Sequence, residues 1–277
     1  YGWKPDVPDF RDWTVTAAPV QEAFAGLDPL VTSIPHAVNL REYSPRIASN
    51  ERLVSSATSA CVALLEYFQR RVFGKTQPHS RMFADKTSHR LSATSNGAGL
   101  DLRSALKALV RFGAPPEYIY PTNFENTSVE PPPYAFGFAD RFSNVRYVRL
   151  NQAGEDGNQI LRRLRVHLAA GFPVVFGFPV PSSFSKQGDI PFRPAYDAVL
   201  YGAAVVAVWF DDPRIRSTTG ALRIRGCWGP SWGHRGYGWL PYAYVQHHLA
   251  VDYWTAYSDE ILASGEFTNP LSGERVT

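Results

Sequence analysis

Apolar residues recur three and four positions apart in three stretches of the chain. After Ser55-Ser56 come Cys61, Leu64, Leu65, Phe68 and Val72, with Gly74 following as a stop. This spacing predicts a helix from about Ser55 to Gly74, and its leading hydroxyls suit the unpaired N–H groups of a first turn. Leu102, Leu106, Leu109 and Val110 predict a second helix over Asp101–Phe112, ended by Gly113-Ala114-Pro115-Pro116. Ile160, Leu161, Leu164 and Leu168 predict a third over Asn158–Ala170, closed by Gly171. The pattern then changes. Phe172–Val180, Ala203–Phe210 and Ala221–Arg225 are rich in Val, Phe and Ile, with Gly and Pro as punctuation, and read as strands. The first 35 residues carry Pro, Asp and aromatics with little period and read as an extended arm. Helices first and strands second imply an α+β fold of two lobes with a cleft between them, a natural ligand site. The expected organisation is an arm over residues 1–36, a mainly helical lobe over 37–130, and a mainly β lobe with a C-terminal tail over 131–277. The Glu130-Pro131-Pro132-Pro133 stretch forms the crossover.

Composition narrows the function. A chain of 277 residues with 44% hydrophobic and 19% charged residues can bury a sizeable core. A net charge of +3 is too small to point to a nucleic-acid partner. No apolar run approaches the ~18 residues of a membrane span. The two cysteines, Cys61 and Cys227, exclude a disulfide scaffold and a four-cysteine metal site but leave room for a thiol nucleophile. Two unpaired cysteines favour a reducing cytoplasm. No leader is visible, and one removed ahead of this start would make the chain secreted. The sequon Asn126-Thr127-Ser128 reads as chance. The seven histidines show no metal spacing, and no phosphate or dinucleotide loop is present, so no metal or cofactor is expected.

The most specific stretch is Cys227-Trp228-Gly229-Pro230-Ser231-Trp232-Gly233-His234-Arg235-Gly236-Tyr237-Gly238-Trp239. It resembles the Asn-Ser-Trp-Gly … Trp-Gly … Gly-Tyr signature of papain-like cysteine peptidases. Val38-Asn39-Leu40-Arg41 resembles the family's Val-Asp-Leu-Arg, and Pro78-His79-Ser80-Arg81-Met82-Phe83 the Pro-Leu-Ser-Arg-Leu-Phe of bacterial members. Ser104–Glu117 and Pro173-Val174-Val175-Phe176-Gly177-Phe178 resemble the next helix and the strand entering the β lobe. The resemblance runs from about residue 37 to 245. It implies a papain-like two-lobed fold with helical and antiparallel β lobes.

It also implies where the chemistry should sit. The bacterial pattern Asp-Gln-Gly-x-x-Gly-Ser-Cys, with Glu-Tyr ten residues after its cysteine, is set in register by Glu66-Tyr67. The nucleophile position then holds Ser56, the oxyanion glutamine position Asn50, and the following glycine position Glu51. Cys61 lies five residues further on, rotated by about 140° at roughly 100° per residue, and does not take that place. Gly-Gly-His-Ala-Val matches Tyr201-Gly202-Ala203-Ala204-Val205, which leaves Ala203 at the base. The orienting asparagine becomes Gly226, and Cys227 takes a structural serine's place. A hydroxyl without a base is a poor nucleophile, so Ser56 reads foremost as a helix cap. His234 reads as a solvated loop residue, and Asp211-Asp212 as a turn pair without a catalytic role.

The resemblance therefore implies a pseudopeptidase that binds a peptide or protein partner, with no nucleic acid and no membrane span. Asn50, Ser56, Gly97, Gly99, Leu100, Tyr201, Cys227, Trp228 and Trp232 are the expected cleft residues, Gly97–Leu100 being where the family pairs its backbone with extended peptide. Glu51, Arg52 and Tyr201 add bulk that could narrow this cleft. The alternative is a repurposed enzyme doing other acyl chemistry with Ser56 or Cys227 and a base from elsewhere in the chain.

Overall fold

The computed structural model describes residues 2–7, 9–25, 33–75, 77–92, 99–139, 142–212 and 220–267. Its helices are α1 (Ala18–Ala23), α2 (Ser56–Phe73), α3 (Arg81–Leu91), α4 (Leu102–Phe112), α5 (Pro133–Gly137), α6 (Gly157–Ala169), α7 (Ala243–Gln246) and α8 (Asp259–Ala263). Its strands are β1 (Ala37–Asn39), β2 (Arg146–Arg149), β3 (Val174–Pro181), β4 (Val199–Asp211), β5 (Ala221–Arg225), β6 (Tyr237–Pro241) and β7 (Val251–Tyr257). The strands form one antiparallel sheet in the order β2-β7-β3-β4-β5-β6, with β1 added beside the end of β4. This is the two-lobed α+β fold the sequence implies. Val38 pairs with Phe210 and joins β1 to the sheet.

The three helices read from periodicity form within a residue or two of their expected ends. Asp101 and Asp156 accept from the Ser104 and Asn158 amides, which starts α4 and α6, and Gly74 ends α2 in a left-handed turn at φ 62°. The buried surface of α2 is wider than the predicted stripe. Every residue from Ser56 to Phe68 is buried, because the helix packs on β3, β4 and β7 as well as on α3 and α4. Small residues (Ser56, Ala57, Ser59, Ala60) allow that close approach. Helix α3 escaped the periodicity reading because its buried face includes Arg81, Asp85, Thr87 and Ser88.

Of these, Arg81 belongs to a buried ionic chain that joins α3 to β5. Arg225, at the end of β5, donates to Glu51 at 2.7 and 3.0 Å. Arg81 lies 3.5 Å from Glu51 and donates to Glu66 at 3.0 Å, and Glu66 accepts the His79 amide at 2.7 Å. Glu51 is therefore the anchor that fixes the turn before α2 to strand β5, and not bulk that narrows a cleft. Burial alone would raise the Glu66 carboxyl, but Arg81 and the His79 hydrogen bonds outweigh it and hold it at about 2.

Candidate functional site

The first turn of α2 meets strand β4. The residue that caps the helix is Ser55, not Ser56. Ser55 keeps an extended backbone, and its hydroxyl accepts the Ala57 amide at 3.2 Å. Its own N–H donates to the buried Asp85 carboxylate at 2.9 Å, which the Thr58 hydroxyl also reaches at 2.8 Å. Ser56 is the first helical residue and is 3% exposed. Among the described residues its hydroxyl has one hydrogen-bond partner, the Ala204 amide, which donates to it at 3.0 Å. The structure thus brings Ser56 against Ala203-Ala204, where the neighbouring side chains are buried methyl groups.

Asn50, at the expected oxyanion position, is hydrogen-bonded to the chain around Thr122. Its amide donates to the Thr122 carbonyl at 2.6 Å and so turns to the loop after Glu117, where acceptors cluster. Cys61 is fully buried, with its sulfur 3.8 Å from the Leu102 carbonyl. On the β side, Cys227 is buried, and burial together with the nearby Glu51 carboxylate pushes its thiol up to about 12. Trp228 donates from its indole to the Tyr201 hydroxyl at 3.0 Å. Trp232, expected in the cleft wall, is buried. It stacks on Phe184 at 5.5 Å and donates to the Ser185 carbonyl.

Chain pairing at the expected peptide edge is already present, and the partner is the arm. The Leu100 amide donates to the Gly2 carbonyl at 3.0 Å, and the Lys4 amide donates to the Leu100 carbonyl at 3.3 Å. Across the groove the Trp3 amide donates to the Gly202 carbonyl at 3.0 Å. Gly99 sits at φ 71°, and a Cβ there would lie 2.9 Å from the Gly2 carbonyl oxygen. Gly97 lies outside the described residues.

The Trp3 side chain is 7% exposed. It lies against Gly177 of β3 and Gly202 of β4, where any added Cβ would overlap it. Further along, Asp6 accepts from Arg149 at 2.7 Å and from the Trp254 indole at 2.9 Å. Asp12 takes both arms of Arg103 at 2.6 Å. Trp3, Gly177 and Gly202 were not singled out from the sequence. The signal that could have found them is glycine within strand-like runs, which marks a close approach by another chain segment or a ligand.

The known proteins that resemble this chain can now be set beside this geometry. Xylellain, a cysteine protease from Xylella fastidiosa, superposes with a TM-score of 0.74 at 25% identity over 93% of this chain and 96% of its own. A procathepsin B from Trypanosoma congolense gives 0.62 at 16% identity over 90% and 82%. Bromelain from Ananas comosus gives 0.58 at 14% over 82% and 100%. In sequence, an uncharacterized peptidase C1-like protein of Acanthamoeba polyphaga mimivirus is 28% identical over 183 residues, 63% of this chain and 57% of that protein. The match thus spans less than two thirds of that relative's length. No protein-family model matches the chain.

The chain has the papain-like two-lobed fold.

In this papain-like frame the residue before Cys227 carries special weight. A Cβ at Gly226 would overlap the six-membered ring of Trp228 and lie 3.0 Å from Trp232. The indoles occupy the space that a side chain at this position requires. Among the described residues, no group of three His, Cys, Asp or Glu is placed to hold a metal ion, and no helix is long and apolar enough to cross a membrane.

Proposed function

We propose that this papain-like protein is a pseudopeptidase, a non-catalytic member of its fold that binds extended peptide along the edge formed by Gly99-Leu100 and Gly202. The observation that carries the reading is the environment of Ser56. Its hydroxyl accepts a backbone N–H, and the side chains expected to supply a base and to orient it are the methyl of Ala203 and the hydrogen of Gly226. Such a hydroxyl stays protonated at neutral pH, and nucleophilic catalysis needs an adjacent base to remove that proton. Loss of a triad lowers turnover on the order of 10⁶-fold. The packing of Trp228 against Gly226 supports the same reading, since an asparagine there requires both indoles to move.

The repurposed-enzyme alternative finds no support at either candidate. The Cys227 thiol stays protonated well above neutrality, and a thiol rather than a thiolate is a weak nucleophile. Peptide binding is supported by the groove's main-chain groups, which pair with a strand whatever its side chains. The arm supplies that strand in cis.

The test is turnover of mixed peptide libraries, with mass-spectrometric search for acyl adducts. The expected result is no cleavage and no adduct on Ser56 or Cys227. Cleavage lost on Ser56→Ala overturns the proposal. The triple reversion Ser56→Cys, Ala203→His, Gly226→Asn is expected to stay inactive until the Trp228 ring is also reduced.

A further inference from the structure

We propose that the cavity between α1 and α6 binds a small, uncharged, flat aromatic alcohol, of the phenol or naphthol class, whose hydroxyl donates to His167. The site shares no residue with the groove above and does not depend on whether that groove binds peptide.

Helix α6 carries Gln159, Arg163, Val166 and His167 on one face, at the three- and four-residue spacing that aligns side chains along a helix. The chain crosses this face as α1, and Val20 and Phe24 form the opposite wall. The cavity left between them has a volume of about 670 Å³, within the range of small-molecule sites.

The polar group that decides the ligand is His167. It is 5% exposed, and its Nδ1 lies 2.9 Å from the Arg163 carbonyl, one turn back on the same helix. A carbonyl only accepts, so Nδ1 carries the hydrogen. Burial pulls the ring down to about 4, so at neutral pH it is uncharged and Nε2 keeps a bare lone pair. With Nδ1 turned to the helix backbone, Nε2 stands on the far side of a ring that lines the cavity. Among the described residues that nitrogen has no hydrogen-bond partner. A buried acceptor without a donor is costly, and native proteins rarely leave one so. A ligand that donates one hydrogen bond satisfies it.

The surrounding groups specify the rest of that ligand. Phe24 stands edge-on to the His167 ring with centroids 5.2 Å apart, and Phe172 and Tyr257 hold Phe24 at the same separation. A flat ring beside Phe24 gains a further aromatic contact, and the buried Val20 and Val166 add apolar area. Both framing rings are already fixed by the fold, so binding carries little ordering cost. The cations offer nothing to an anionic head group. Arg163 donates to the Leu150 carbonyl at 2.6 Å and to Glu155 at 2.7 Å, and Arg162 also has a partner. The alcohol is therefore neutral.

The test titrates 2-naphthol into the full chain while NMR follows the His167 ring nitrogens. The comparison ligands are 2-methoxynaphthalene, close in shape but without a donor, and 2-naphthoate, which carries a charge. Expected with 2-naphthol is an upfield move of Nε2 as it accepts a hydrogen bond, with the hydrogen kept on Nδ1. The alcohol should bind about tenfold more tightly than the methyl ether. His167→Phe keeps a flat ring without the acceptor and should erase that difference. Gln21→Trp, which sets an indole at the cavity mouth from an exposed position, should abolish binding of both.

No binding of 2-naphthol, or equal binding of the alcohol and its methyl ether, overturns the proposal; the second result gives Nε2 to water. Binding that survives Gln21→Trp places the ligand elsewhere and overturns it as well. Tighter binding of 2-naphthoate would assign recognition to the arginines and overturn the neutral class. If His167→Phe does not fold, the Nε2 signal of the unmodified chain decides: a move with the alcohol and none with the ether supports the site, and an unmoved signal overturns it.

Discussion

The Ser56 hydroxyl stabilises a junction, and its removal should be felt in stability. Ser56→Ala leaves the buried Ala204 amide without an acceptor, so about 1–3 kcal/mol of destabilisation is expected in urea unfolding. A catalytic serine would instead show a kinetic loss. Gly177 is the companion case. A single methyl there overlaps the Trp3 indole, so Gly177→Ala should expel the arm. The expected signature is lost protection at the Leu100 amide, together with a cost of about 1–3 kcal/mol for overpacking. Asp85, close behind the first turn of α2, shows how local such roles are. It holds the Ser55 amide and the Thr58 hydroxyl.

At the scale of elements, the buried chain Arg225–Glu51–Arg81–Glu66 fixes the turn before α2 to β5 and α3. Glu51→Gln leaves a guanidinium with reduced compensation in a site of no exposure. A loss of about 3–5 kcal/mol is expected, measured by denaturant unfolding. Periodicity found α2, α4 and α6 because each buries an apolar stripe between a capping residue and a glycine stop. It missed α3, whose inward face carries this ionic chain, and β7, whose Val-Asp-Tyr-Trp-Thr-Ala-Tyr run mixes polar and aromatic positions with nearly every one buried. A residue's burial partner decides such cases, and that partner is far away in sequence.

For the whole molecule, pH separates the body from the arm. Glu66 is held at about 2, so its contribution is present above its usual value of 4.5 and is lost as pH falls below it. His167, buried and pulled down to about 4, must gain a proton to unfold in acid, so stability falls as pH drops from 6.5 towards 4. Asp6 has the opposite sign. Its folded value, about 7, lies above its ordinary 3.8, so arm docking is strongest below about pH 4 and weakens as pH rises through 7. The expected result is a Leu100 amide that exchanges faster at pH 8 than at pH 5.5, relative to the β3 and β4 amides, while global stability does not fall in step.

The helix boundaries and the α+β order were legible in the chain itself, because they depend on identity and on local spacing, whereas the positions proposed for the triad came from the resemblance. Only tertiary structure put Ser56 under the Ala204 amide, turned Asn50 to Thr122, filled the Gly226 side with indoles and laid Trp3 between Gly177 and Gly202. These contacts join segments up to two hundred residues apart, and their energies come from burial and shape, which no local pattern encodes.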